Sequence, residues 1–320
     1  MALSLRWILK DFNYMKAFIY DTSVYPLTFD SCNFFAIAQS ILKVTKQSGA
    51  DMVIKAYSFR ENMIHEEDYT DAVRTKKLND CLVDLAEMSS WVNSVSIIRR
   101  REGLENFKSF DWMFENTSLE SKLPRLYDFK SILSIDKSSM EYLNELFIPK
   151  VADKKKYDKI FSETKKSILF FQRKSVQKPI RNTPENLFEE CCKLLRSSGV
   201  SAFIVPDAEL ICSPLYYNNL VYFPEIGRTI FDRIAAANSA DLVVTWGGGI
   251  SAPLWFSPCN LLVMGLNNKF CPKDLEEAKI KGPFPFEQPP WFGSNKQFIW
   301  TEQQELTPES VSQIILDKLK

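Results

Sequence analysis

An α/β chain of two successive lobes, each with helices against a mostly parallel sheet, is predicted by three observations. Short apolar runs alternate with segments of helical period from residue 17 onward, and the alternation restarts at residue 167. A lysine-rich stretch, VADKKKYDKIFSETKK, separates the two series and shows no clear apolar period. The chain has 320 residues, 45% of them hydrophobic, which is enough to bury a core in each lobe. The expected boundaries are a first domain over 1–150, a linker over 151–166 and a second domain over 167–320.

The first lobe opens with a strand at Ala17–Tyr20, ended by Asp21 and Thr22. Residues 31–49 then place Phe34, Phe35, Ile37, Ala38, Ile41, Leu42 and Val44 at helical spacing and finish on Gly49. DMVIKAYS is the next strand, which completes a βαβ unit. A helix in TKKLNDCLVDLAEMSSWV and a strand in SVSIIRR follow, and then an irregular region rich in aromatics and charges. In the second lobe SILFFQ is a strand. TPENLFEECCKLLRSSG is a helix, with Thr183 as expected N-cap, Pro184 at the first helical position and Gly199 at the end. Next come strand SAFIVP, an insertion containing SPLYYNNLVYFPE, helix GRTIFDRIAAANSA, strands DLVVTW and NLLVMG, and a closing strand and helix with Thr307 as cap.

Charge and cysteine content exclude several classes. Lys plus Arg equals Asp plus Glu at 40 each, so no global field points to nucleic acid or to an acidic partner. The seven cysteines are odd in number and form no C-x-x-C pair, which argues against a disulfide framework or a zinc cluster and for a reducing, cytoplasmic compartment. The N-terminal MALSLRWILKDFNYMK reads as neither signal peptide nor membrane span. Its Leu5, Trp7, Ile8 and Leu9 can line one helix face, which packs on the protein's own surface or makes a peripheral membrane contact.

The stretch ADLVVTWGGGISAPLWF places Gly247, Gly248 and Gly249 directly after a buried-strand pattern, with Ser251 placed to cap a helix behind them. Bare backbone N–H groups at a strand's carboxyl end donate to phosphate oxygens, and a helix N-terminus strengthens the site. A tight turn accounts for the glycines equally well. Neither the spaced dinucleotide fingerprint nor a Walker ending in Gly-Lys-Ser/Thr is present.

Together with FQRKSVQKPIRNTPENLFEECCKLLRSSGVSAFIVPDAEL and TIFDRIAAANSADLVVTWGGGISAPLWF, this stretch resembles the carboxy-terminal half of glycosyltransferases of the B type, built from two Rossmann-like domains facing a cleft. The match covers roughly Ser167 to Gly265, and Trp246-Gly247 stands where many members carry His-Gly. The resemblance implies a nucleotide-sugar donor held at its diphosphate by the glycine loop and an arginine. The nucleotide sugar is then a substrate, and no cofactor is expected. The acceptor is expected to be a glycan or lipid-linked glycan on the inner face of a membrane, in surface polysaccharide synthesis.

Arg173, at a strand end, can grip a phosphate bidentately, and Lys174 and Arg181 extend the positive rim. From Lys154 to Arg181 basic residues outnumber acidic ones ten to two. Asn182 is a donor contact or a turn residue, and Glu225 a ribose acceptor or a turn former. Asp21 and Asp30 are the candidate bases for the acceptor hydroxyl, with equally good readings as turn former and N-cap. No D-x-D motif marks a metal site. A two-lobed nucleotide-sugar epimerase and a scaffold that has lost its site remain as alternatives, Trp246 being the warning for the latter.

Overall fold

The computed structural model describes residues 17–22, 27–29, 31–56, 70–99, 113–115, 141–174, 182–207, 229–247, 249, 251–265, 293–299 and 306–320. The chain divides into two compact units, Met1–Phe147 and Ile148–Lys320.

In the first unit β1 (Ala17–Asp21), β2 (Ala50–Lys55), β3 (Val92–Ile98) and β4 (Met113–Glu115) form a parallel sheet in the order β3-β2-β1-β4. Strand β1 is buried throughout, as its unbroken apolar run requires of a central parallel strand. Helix α1 (Ser31–Val44) follows the expected period, and Phe34 meets Phe18 and Tyr20 edge to face at 6.3 and 5.2 Å. The second helical stretch starts earlier than expected. Thr70 caps α2 (Asp71–Leu78), a π-helical turn spans Asn79–Val83, and α3 (Asp84–Met88) ends the run. Ser31 Oγ donates to the Cys81 carbonyl at 2.6 Å and ties α1 to that turn. Strand β4 lies in the region expected to be irregular, where three residues are too few to show a period.

The second unit has five parallel strands in the order β6-β5-β7-β8-β9: β5 (Ser167–Phe171), β6 (Ser201–Val205), β7 (Leu242–Trp246), β8 (Leu261–Met264) and β9 (Lys296–Phe298). Alternate residues such as Ile168, Phe170, Val244 and Trp246 pack against Leu187, Phe188 and Cys192 of α5 (Leu187–Ser197) and against Val311 and Ile315 of α8 (Pro308–Lys318). The other face carries Phe203, which meets Phe161 of α4 (Val151–Ser162) at 6.4 Å. Helix α4 in turn packs on α6 (Ile230–Ser239), where Tyr157 donates to Asp232 at 2.6 Å. The stretch expected to be a linker thus carries a helix that buries Tyr157 and Phe161 within the second unit. Each of those rings contributes about 1.5–3 kcal/mol. Thr307 caps α8 with Ser310 closing a capping box, as its local sequence predicts.

Buried titratable groups, Cys191, Cys192 and Lys296 among them, make stability depend on alkaline pH. Burial pushes the Cys191 and Cys192 thiols up to about 12. It pulls the Lys296 ammonium down to about 8, although its Nζ donates to the carbonyls of Ser257 and Cys259. Below pH 8 Lys296 is charged in both folded and unfolded chains, so its desolvation cost is present in full. From about 8 to 10.5 the folded chain sheds that proton first and the cost is relieved. The thiols act in the opposite sense. Above pH 9 they ionise only in the unfolded chain, so each lowers stability by about 1.4 kcal/mol per pH unit. Urea unfolding is expected to show stability rising from pH 8 to 9 and falling beyond, with the rise missing in Lys296→Met.

Candidate functional site

In open parallel sheets ligands bind outside the carboxyl ends of the strands, where the chain order reverses. In the second unit the chain goes from β5 to β6 on one side and then to β7 on the other. The crevice therefore opens between the carboxyl ends of β5 and β7. Arg173 and the glycine run stand at those two ends. In the first unit the corresponding reversal lies between β1 and β4, and Asp21 ends β1.

Arg173 Nη1 donates to the Gly247 carbonyl at 3.2 Å, and a Cβ at Gly249 would lie 3.9 Å from the same nitrogen. The guanidinium thus lies against the glycine run. Gly249 needs its glycine for the backbone, with φ +56 in the left-handed region, and otherwise faces open space. Gly247 serves the sheet: its N–H donates to the Met264 carbonyl at 2.8 Å and is not offered to a ligand. Ser251 is the first residue of α7 (Ser251–Trp255) and fully buried, rather than a cap. With five residues, α7 has little dipole to add behind the loop.

The loop after β5 is clamped by Thr183. Its Oγ1 accepts the Arg173 N–H at 2.9 Å, and its own N–H donates to the Arg173 carbonyl at 3.0 Å. This corrects the expected N-cap, because α5 begins at Leu187 behind Asn186. The Lys174 N–H donates to Asp207 Oδ2 at 2.9 Å, which joins the exits of β5 and β6. Arg233, buried in the first turn of α6, donates from Nη2 to the Pro206 carbonyl at 2.8 Å. Asn182 is half-buried beside Thr183. Trp246, the residue that raised doubt about a lost site, packs in the core 6.3 Å from Phe188.

Asp21 is 5% exposed and lies opposite Lys55 in the β1–β2 register, where Thr22 Oγ1 donates to the Lys55 carbonyl at 2.9 Å. Burial pulls the Lys55 ammonium down, and the Asp21 charge opposes that shift. Asp30, Arg181, Glu225 and Gly248 lie outside the described residues. Among the described residues no group of three or more His, Cys, Asp or Glu side chains is placed to hold a metal, and no helix is long and apolar enough to cross a membrane.

No family model matches the sequence, and no curated protein matches it. Solved structures do. The E. coli ADP-heptose lps heptosyltransferase II is similar with a TM-score of 0.52 at 15% identity, over 95% of this chain and 98% of that one. A glycosyl transferase family 9 structure from Veillonella parvula gives 0.50 at 13% identity, covering 100% and 98%. The E. coli heptosyltransferase WaaC with ADP gives 0.50 at 12%, covering 95% and 97%. The chain has the B-type glycosyltransferase fold.

In the second unit of this B-type fold the structure brings Arg173 together with Gly247 and Gly249, as the sequence suggests, and adds Thr183 and Arg233, which the sequence reading does not single out for the site; in the first unit it adds Lys55 beside Asp21. Thr183 was assigned to a local cap that its Pro-Glu context favours equally. Arg233 sits inside an amphipathic helix pattern, where an arginine reads as solvated. Lys55 ends a strand and gains its neighbour Asp21 only through pairing across 34 residues. None of these partners is near in sequence, and no local signal would have shown them.

Proposed function

We propose that the protein is a glycosyltransferase that moves a sugar from a nucleoside diphosphate sugar to a glycan acceptor. The observation that carries this reading is the Arg173 guanidinium held on Gly247, beside the left-handed Gly249, at the β5/β7 reversal of a B-type fold. A cation and bare backbone at that point suit a diphosphate leaving group, whose charge develops as the sugar departs. Lys174 and Arg181 extend the positive charge along the same loop. Asn182 and Ser251 are assigned to shaping the loops, Gly248 to donating its backbone N–H, and Glu225 to the ribose. The first unit supplies the proton acceptor, Asp21 or Asp30. Asp21 has Lys55 as its charged neighbour, so Asp30→Asn and Asp21→Asn, made separately, decide between them by which one lowers kcat while donor binding persists.

The neighbours named for ADP-heptose and for lps support a donor of the ADP type and an acceptor in surface polysaccharide synthesis. The leaving group is met without a metal, so transfer is expected to survive an excess of chelator. The test is the melting midpoint against ADP, UDP, GDP and dTDP, because a ligand that binds only the native state raises it. At a hundredfold excess over Kd one of the four should stabilise the protein by about 2.7 kcal/mol. If none shifts the midpoint at millimolar concentration, the reading fails.

A further inference from the structure

Helix α4 buries Tyr157 and Phe161, and at 3.6 residues per turn the opposite face carries Val151, Ala152, Lys155, Lys156, Lys159 and Ser162. All six are exposed, and every other residue of the helix is at least half-buried. The face holds three lysines and no carboxylate. Asp153 and Asp158 lie at its flanks, where Lys154 pairs with Asp158 at 2.8 Å, and Glu163 follows at the C-terminal end. Lys156 reaches Asp232 at 3.5 Å. Among the described residues Lys155 and Lys159 make no ion pair. At the start of the helix Val151 is 70% exposed and Ile148 44%, so apolar surface adjoins the lysines.

We propose that this face of α4 docks reversibly on a bilayer rich in anionic headgroups. Lysines near such a surface are attracted by its negative potential, and their stems lie along the interface while the ammonium groups stay among the headgroups. The exposed Ile148 and Val151 can enter the interfacial layer beside them. The charge pattern selects this partner over nucleic acid. The face offers lysine point charges without an arginine fork or an aromatic ring for stacking, on a chain whose total charge is zero. The proposal stands apart from the transfer reaction, because its readout is binding alone.

The test is co-sedimentation of the full chain with vesicles of phosphatidylcholine alone and with added phosphatidylglycerol. Binding is expected only with phosphatidylglycerol and should fall as salt rises. Lys155→Gln with Lys159→Gln should weaken it about tenfold or more, since each lysine near the surface contributes about a fivefold factor. Lys193→Gln with Lys318→Gln removes the same charge elsewhere and should leave binding unchanged. Both pairs replace exposed side chains, so their melting midpoints should match the wild type. Equal loss in the two double variants, no binding to either vesicle, or lysine-dependent binding to a soluble polyanion without binding to vesicles would each overturn the proposal.

Discussion

Arg173→Ala is expected to cut the rise in melting midpoint that the preferred nucleoside diphosphate confers to about half or less, while the ligand-free midpoint changes little. In the folded protein the side chain donates to the Gly247 carbonyl at 3.2 Å and is half-buried. Losing that bond costs about 1 kcal/mol. The loop itself keeps its shape, because Thr183 holds Arg173 through the backbone N–H and carbonyl, which alanine retains. A charge-assisted pair with a phosphate contributes about 1.5–3 kcal/mol, so affinity should fall roughly ten- to a hundredfold. Arg173→Lys keeps the charge without the planar fork and should recover only part of the shift. An alanine variant that keeps the full shift would remove Arg173 from the donor site.

Thr183 shows where local reasoning stops. Its Thr-Pro-Glu context is a sound helix-start pattern, yet its hydroxyl serves a residue ten positions upstream, in a contact that depends on β5 and the α5 approach lying side by side. Strands β5, β7 and β8 were legible because a parallel strand buried on both faces shows as an unbroken apolar run. Strand β4 was not, since three residues show no period and its pairing with β1 spans about a hundred positions. The glycine run was legible as a place but not as a division of labour. Which amide feeds the sheet is settled by β8, and the pairing assigns Gly247 to Met264. The basic helix α4 was read by its charge, and its buried Tyr157 and Phe161 were hidden among the lysines.

The exit of β8 should be the least tolerant position in the second unit. Gly265 has φ +67, and a Cβ there would meet the Trp246 indole 2.5 Å from Nε1 and closer still to Cε2. The left-handed backbone alone costs a side chain about 1–2 kcal/mol. Overpacking adds about 1–3 more, because Trp246 is 1% exposed in a core shared with Phe188 and has nowhere to move. Gly265→Ala is therefore expected to destabilise the protein by about 2–5 kcal/mol in urea unfolding. Trp246→Leu leaves a cavity and is costly on its own, about 2–4 kcal/mol. The double variant should cost less than the sum of the two, since the leucine clears the space that the new methyl group needs. Strict additivity would mean that backbone strain alone holds the glycine. The coupling also reaches the site. Trp246 immediately precedes Gly247, whose carbonyl receives Arg173, so the double variant should bind the nucleotide more weakly than its own stability implies. A ring held in the core by one glycine would then be what keeps the other glycines in place for a phosphate.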